Sequence, residues 1–559
     1  MSPPSKVAEA VFAKNSKFVL EIPSGATFSF LSVDRLEALR MDVTSDRTGR
    51  FLDKKSRTRI CRSLQPQWNS PMSHVRHNPL AMLAFGCLFV STGLFRNARS
   101  EAGEPAFGSL PNIILIITDD QGYYDLSCHG NPHLATPHLD QLRDESMRFT
   151  RFQVSPTCAP TRSAIMSGRA PFYVGVTHTI QERERMKLGV PTLPEMLQAA
   201  GYTTGIFGKW HLGDQAPYRP DRRGFDEVFI HGAGGIGQSY AGSCGDAPNN
   251  KYFDPAILHN NKFEKTKGFC TDIFFDQATK WMGSQKGKKP FFAYISTNAP
   301  HGPFIAPDSY KKKFTDAGLK GNTVGFYGMI ENIDDNLGRL IKQLDAWEIG
   351  RETLVIFITD NGPAASNYNG EHKGKKNSVD EGGTRVPSFW RWPGVRQAGT
   401  DIDRISNHYD LLPTLAEIVG GNPEQADQLH GRSLVPLIKT PETPWKDRYR
   451  VFHKGRWGKD QAESSRDLGF AVRNQKFRLV GRDTLYDMEN DPSQTKNVID
   501  QFPKVAEAMN AHYDQWFDAA LPNMVNEDAP LEGHNSFHLL YWDQYNPVSY
   551  THLTLPTKA

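Results

Sequence analysis

The 559-residue chain is poor in cysteine: it has six, scattered, with no CxxC pair. That spacing excludes a zinc ribbon and a thioredoxin-type redox motif, and leaves Cys244 and Cys270 as a pair that an exported protein could join. Charge is nearly balanced, at a formal +3, and no long basic run argues for nucleic acid. There is no internal repeat. The Gly-rich stretch Gly232 to Gly237 follows no nucleotide-binding pattern and reads as a loop near a pocket mouth. The apolar run Pro79 to Phe95, of about 17 residues and internally mixed, falls short of a membrane span. What the chain does have is an apolar share of 38% and an aromatic share of 11%, ample for a packed core. Its length allows one large domain plus a smaller one, or three small ones.

Residues 1–71 are polar, basic in patches and without sustained periodicity, and read as a non-native or disordered extension. From Met72 the pattern changes. A short segment with His74, Arg76 and His77 precedes the apolar run, and small residues follow near Ala98 to Ala102. This is the layout of a secretory signal peptide over 72–102, with a signal anchor as the rival, and it predicts a periplasmic or secreted protein.

Four apolar, β-branched runs follow, each ending in polar residues. Asn112 to Thr118 ends in Asp119 and Asp120, and Tyr202 to Phe207 leads to Lys209 and His211. Phe291 to Thr297 leads to His301, and Thr353 to Thr359 ends in Asp360 and Asn361. Continuous runs of this kind are expected of strands buried on both faces. Amphipathic segments between them, such as Leu193 to Ala200 and Phe326 to Leu344, predict an α/β fold with a mostly parallel sheet between helices. In such sheets ligands bind beyond the carboxyl ends of the strands, where all four polar clusters lie. Each cluster alone has an ordinary reading, as a helix cap, a turn or a solvated loop. Their joint occurrence argues for one site.

A fifth element completes it. Ser155 to Arg169 reads SPTCAPTRSAIMSGR, with a C-x-P-x-R core. Pro160 suits the first turn of a helix, which puts Cys158 at a helix N-terminus that favours an anion. Arg162, four residues on, shares its face.

These residues resemble the signature of the sulfatase family, in the alkaline phosphatase superfamily, in which this cysteine is oxidised after translation to formylglycine. Ser167 and Phe207 depart from the family's usual residues. The resemblance covers most of 110–435 and implies an alkaline-phosphatase-like fold with a large mixed sheet. By motif position, Asp119, Asp120, Asp360, Asn361 and the modified Cys158 match its divalent-metal ligands, Arg162 its stabilising arginine, Lys209 and His211 its GKWH motif, and His301 its APH histidine. Lys376 matches the lysine before EGG, with Lys375 as the alternative. Oxygen donors without histidine suit calcium or magnesium, and the resemblance favours calcium. It implies hydrolysis of a sulfate monoester on a small aryl or alkyl molecule or a glycan, after maturation by a formylglycine-generating enzyme. The rivals are a phosphonate monoester or phosphodiester hydrolase of the same superfamily, and an inactive carbohydrate-binding member. Thr136, Pro137 and Asp140 resemble the family's TPxxD segment, Asn249 to Asp272 looks like a pocket-lining insertion, and Ser406 to Gly420 matches its closing helix.

Pro441 and Pro444 mark a linker to a smaller C-terminal antiparallel α+β subdomain over 445–545, with strands at Tyr449 to His453, Leu468 to Arg473 and Phe477 to Val480 and a helix from Pro503 to Leu521. Residues 548–559 read as an artefactual tail.

Overall fold

The computed structural model describes residues 18–21, 27–30, 106–238, 240, 242–396, 398–524 and 535–546. The chain divides into two units, 1–97 and 98–559. In the first, β1 (Phe18–Glu21) and β2 (Thr27–Phe30) pair antiparallel. The rest of the expected extension over 1–71, the signal peptide at 72–102 and the tail at 548–559 lie outside the described residues.

The second unit is built on a ten-stranded sheet. Its centre is β3 (Asn112–Thr118), flanked by β10 (Phe291–Ser296) and β11 (Thr353–Thr359). Beyond β10 lie β6 (Thr203–Lys209) and β7 (Glu227–His231), and these five strands run parallel. The margins add mostly antiparallel pairings. On one side are β8 (Ala256–His259) and β9 (Lys262–Lys265); on the other are β12 (Ser388–Arg391), β4 (Met147–Phe149) and the short β13 (Asp401–Ile402). A small second pairing joins β5 (Phe152–Gln153) to β14 (Ser406–Asn407).

Strand alternation feeds two layers. Ile113, Leu115 and Ile117 face a core shared with the helices Leu193–Ala199 and Leu411–Val419. Ile114 and Ile116 face the opposite core, with Phe274 and Phe275 of the helix Cys270–Gln285 and Met329, Ile333 and Leu337 of the helix Asn322–Ala346. Each large aliphatic side chain so buried contributes ~1.5–3 kcal/mol, which is why these strands carry no polar face.

The C-terminal subdomain has four antiparallel strands: β15 (Arg450–His453), β16 (Phe470–Arg473), β17 (Phe477–Val480) and β18 (Thr484–Asp487). The helix Pro503–Ala520 covers them through Met509, Tyr513 and Phe517. Phe172 belongs to the same apolar cluster, so the subdomain shares its core with the large sheet's surroundings.

The pairing of Cys244 and Cys270, left open by the sequence, is not made in the structure. Cys244 and Cys270 are free thiols. Cys270 opens a helix and is buried in the second core, whereas Cys244 accepts a hydrogen bond from the Gly213 backbone N–H at 3.2 Å, so each is committed to its own packing. Among the described residues, no helix is long and apolar enough to cross a membrane.

Candidate active site

Parallel register brings the polar clusters together. Thr359 on β11 pairs with Thr118 on β3, so Asp360 and Asp119 leave adjacent strands side by side, and the Asp360 N–H donates to the Thr118 carbonyl at 3.0 Å. Asp120 turns away with φ of 70°, a left-handed conformation that few residues with a Cβ adopt. That turn aims its N–H at Asp360 Oδ1 (3.0 Å), while its Oδ1 accepts from Asn361 Nδ2 (2.9 Å). Lys209 ends β6 and donates to Asp119 Oδ2 at 2.5 Å, both side chains fully buried.

The helix Cys158–Ser167 points its N-terminus at this cluster, and all ten of its residues are buried. Pro160 sits in its first turn, as the sequence predicts. One turn on, Arg162 donates to Asp360 Oδ2 at 2.9 Å and to Ser296 Oγ. Cys158 Sγ and carboxylate oxygens of Asp119 and Asp360 lie within 4.8 Å of one another, as do atoms of Asp119, Asp120 and His301. Burial pushes the thiol of Cys158 up, against the pull of the Lys209 and Lys376 ammonium groups.

Lys376, rather than Lys375, reaches the site. Its Nζ donates to Asp120 Oδ2 at 2.6 Å, whereas Lys375 is exposed. Burial works against the charged form of Lys376, but the Asp120 carboxylate outweighs it and raises the group's pKa. His301 Nε2 stands 3.6 Å from the same Asp120 oxygen, and its Nδ1 donates to the Gly302 carbonyl at 2.7 Å. Burial lowers this imidazole to about 4.

His211 Nε2 donates to the Thr179 carbonyl at 2.8 Å, which fixes the tautomer and leaves Nδ1 as a buried acceptor without a partner. Burial, then the Lys209 charge, hold it well below the ordinary imidazole range. The Gly232–Gly237 loop packs directly on both histidines. A Cβ on Gly234 would stand 2.9 Å from the His211 ring, and one on Gly235 2.8 Å from the His301 ring.

The donor set fits a hard divalent cation. Asp119 Oδ1 and Asn361 Oδ1 are buried without a hydrogen-bond partner. Burial and the Asp119 carboxylate push Asp360 upward, a strain that a cation among these oxygens would relieve. The three carboxylates are matched by three cations (Arg162, Lys209 and Lys376), so a bound divalent ion would leave the site net positive and suited to an anion. Buried ion pairs add little net stability, so so many charges in one place serve something other than folding.

Sequence reasoning missed several supports. Ser296, the polar last residue of β10, receives Arg162, and Thr179 orients His211. Tyr252 Oη donates to the His301 carbonyl at 2.5 Å; the Asn249 to Asp272 stretch therefore both buttresses the site and supplies the edge strands β8 and β9. His231, ending β7 beside Lys209, is buried with neither ring nitrogen partnered. A polar residue closing an apolar run was the available signal for Ser296 and His231. Thr136, Pro137 and Asp140 are structural: the helix Pro137–Asp144 starts there, and Asp140 accepts from Ser127 Oγ (2.8 Å) and the Cys128 N–H (3.0 Å).

The Sulfatase family model matches residues 111–421, and a model of the C-terminal region of N-sulphoglucosamine sulphohydrolase matches 370–517. N-acetylgalactosamine-6-sulfatase of Rattus norvegicus is 31% identical over 361 residues, covering 59% of this chain and 66% of that protein. Arylsulfatase A of Bos taurus is 30% identical over 472 residues, covering 73% and 87%. Among solved structures, Ps i-CgsB in complex with k-i-k-neocarrahexaose superposes with a TM-score of 0.65 at 27% identity, over 80% of this chain and 100% of that one.

Proposed function

Because the chain belongs to the sulfatase family, we propose that it is a hydrolase that cleaves a sulfate monoester, on a glycan or a small aryl or alkyl molecule, to an alcohol and inorganic sulfate. The observation that carries this reading is the convergence of Cys158, three cations, four oxygen-donor side chains and two neutral imidazoles at the carboxyl ends of four strands. Asp119, Asp120, Asp360 and Asn361, with residue 158, would hold calcium, or magnesium in its place. The ion would draw charge from the sulfate oxygens. Formylglycine at residue 158, made by a separate maturation enzyme, would supply a geminal diol, one hydroxyl to attack sulfur and the other to return the aldehyde.

The chain's own residues do the rest. Arg162 and Lys209, both fully buried, and the partly exposed Lys376 present fixed positive charge to the sulfate. Lys376 and His301 share Asp120 and so stand together; the Lys376 ammonium holds the proton for the departing oxygen, and neutral His301 presents its free Nε2 beside it, placed to pass that proton on. His211 is held neutral with Nδ1 free, the state required of a base. We place the working protein in the periplasm or outside the cell, in keeping with the signal-peptide pattern at 72–102.

The test is a panel of sulfate esters, with an aryl phosphate diester and an aryl phosphonate as controls, using protein made beside a maturation enzyme. Metal-dependent turnover of a sulfate ester supports the reading. Turnover of the phosphorus esters alone would reassign the chain to diester or phosphonate chemistry. Glycan binding without any turnover would make it an inactive binding member.

A further inference from the structure

The C-terminal subdomain reaches the site through the turn after β15. Gly455 lies so close to the 177–183 loop that a Cβ there would stand 1.9 Å from the Thr177 carbonyl oxygen, and its φ is +63°. Only glycine fits such an approach. Arg456 follows with φ of +66°, a conformation that residues with a Cβ avoid and that is maintained where surroundings impose it. On either side the turn is pinned. Arg183 donates to the Trp457 carbonyl at 2.7 Å, and Arg456 itself donates to Thr179 Oγ1 at 3.0 Å. Thr179 is the residue whose carbonyl orients His211.

Arg456 differs from the other arginines of its subdomain. Arg473 and Arg478 are buried against Glu381, and Arg448 and Arg450 are paired with Asp410. Arg456 is exposed, and among the described residues no carboxylate lies within ion-pair distance of it. Its charge still acts locally: after burial, it is the largest influence lowering the His178 imidazole. A guanidinium carries five N–H donors in a planar fork, and Thr179 engages one nitrogen. The remaining donors face no protein acceptor among the described residues. The fork suits bidentate binding of an oxyanion.

We propose that Arg456 is a specificity-determining residue that binds a second anionic group, a sulfate or carboxylate, on the molecule whose sulfate ester is cleaved. The proposal rests on the sulfatase reading above. It makes the substrate a polyanion, and it gives the C-terminal subdomain a part in selecting it.

The experiment compares kcat/KM of native, Arg456→Met and Arg456→Lys proteins on sulfated sugars differing only in a second sulfate, together with a monosulfated aryl ester. The ratio of kcat/KM for the disulfated over the monosulfated sugar should fall about 10- to 100-fold in Arg456→Met, mainly through KM, as expected for loss of a charge-assisted contact. Arg456→Lys should recover part of that ratio, and rising ionic strength should shrink the native preference. Thr179→Val, which keeps the backbone carbonyl for His211 but frees Arg456, should give an intermediate fall. Equal losses on all three substrates would show a structural role through the 177–183 loop and overturn the proposal, as would an unchanged ratio. If the native protein hydrolyses no sulfate ester at all, the parent reading falls instead, and the two failures are distinguishable.

Discussion

Replacing Arg478 with methionine tests how the C-terminal subdomain supports the site. Arg478 is fully buried; it donates to Glu381 Oε2 at 2.7 Å, to Gln153 Oε1 at 2.9 Å and to the Val379 carbonyl. Of its cationic partners Glu381 would keep Arg473 at 3.6 Å and Arg385 at 3.9 Å, with Gln153 Nε2 still donating to it at 3.2 Å. Breaking one side of a buried pair typically costs about 3–5 kcal/mol, because the remaining charge stays desolvated. The sign of the pH dependence follows from Glu381. Burial raises its carboxyl, but Arg478, Arg473 and Arg385 outweigh that and hold it well below the ordinary range. A depressed folded-state pKa contributes stability that is present above the unfolded value of about 4.3 and is lost as pH falls through the folded one. The deficit of Arg478→Met should therefore be full at pH 7 and narrow below about pH 4.5, where the variant's carboxyl takes up a proton. Denaturant unfolding at the two pH values measures it. Adding Glu381→Gln should recover much of the loss, giving a double variant more stable than the sum of the singles. A deficit independent of pH, or strict additivity, would refute the charge argument and leave only packing.

Cys158→Ala should lower sulfate-ester turnover by about 10³-fold or more while the fold persists, and a mass spectrum of the Phe152–Arg162 tryptic peptide from matured native protein should show the aldehyde or its hydrate. Dialysis against a calcium chelator should abolish turnover and lower the melting midpoint, with both restored by Ca²⁺; an unchanged midpoint and full activity would remove the metal. Lys376→Met should lose about 10²-fold or more in kcat/KM and Lys375→Met less than about twofold, since only the first faces the site. Gly235→Ala should leave the melting midpoint nearly unchanged but cut kcat, because its methyl would press on the His301 ring; equal kcat would place that loop away from the reaction.

The fold was most legible where burial leaves the sequence little choice. NIILIIT and TLVIFIT are covered by helices on both faces, so their composition alone marks parallel strands. The site was legible for a related reason, since polar residues at the ends of such strands have nowhere to go but the ligand crevice. What escaped was decided at long range. β8 and β9 lie at the sheet edge, where Lys262, Glu264 and Lys265 dilute the strand signal. β18, four residues long, was not among the strands expected from the sequence. The Lys375 and Lys376 alternative could be settled only by the backbone: the Lys376 N–H donates to the Pro363 carbonyl and that of Asn377 to the Pro156 carbonyl, which turns Lys376 inward. Arg478 and Gln494 hold Glu381 from about a hundred residues away in sequence, a separation no local pattern encodes.

The complete enclosure of the Cys158–Ser167 helix also has a consequence in time. The maturation enzyme proposed above would need access to residue 158, and in the folded protein every residue of that helix is buried. The conversion proposed above would then have to fall in the interval between synthesis and closure of the sheet. A molecule that folded first would stay in its unconverted form. Mixing purified, folded protein with a maturation enzyme should leave it inert, whereas making the two together should not, and the fraction of active molecules in a preparation becomes a record of which event came first.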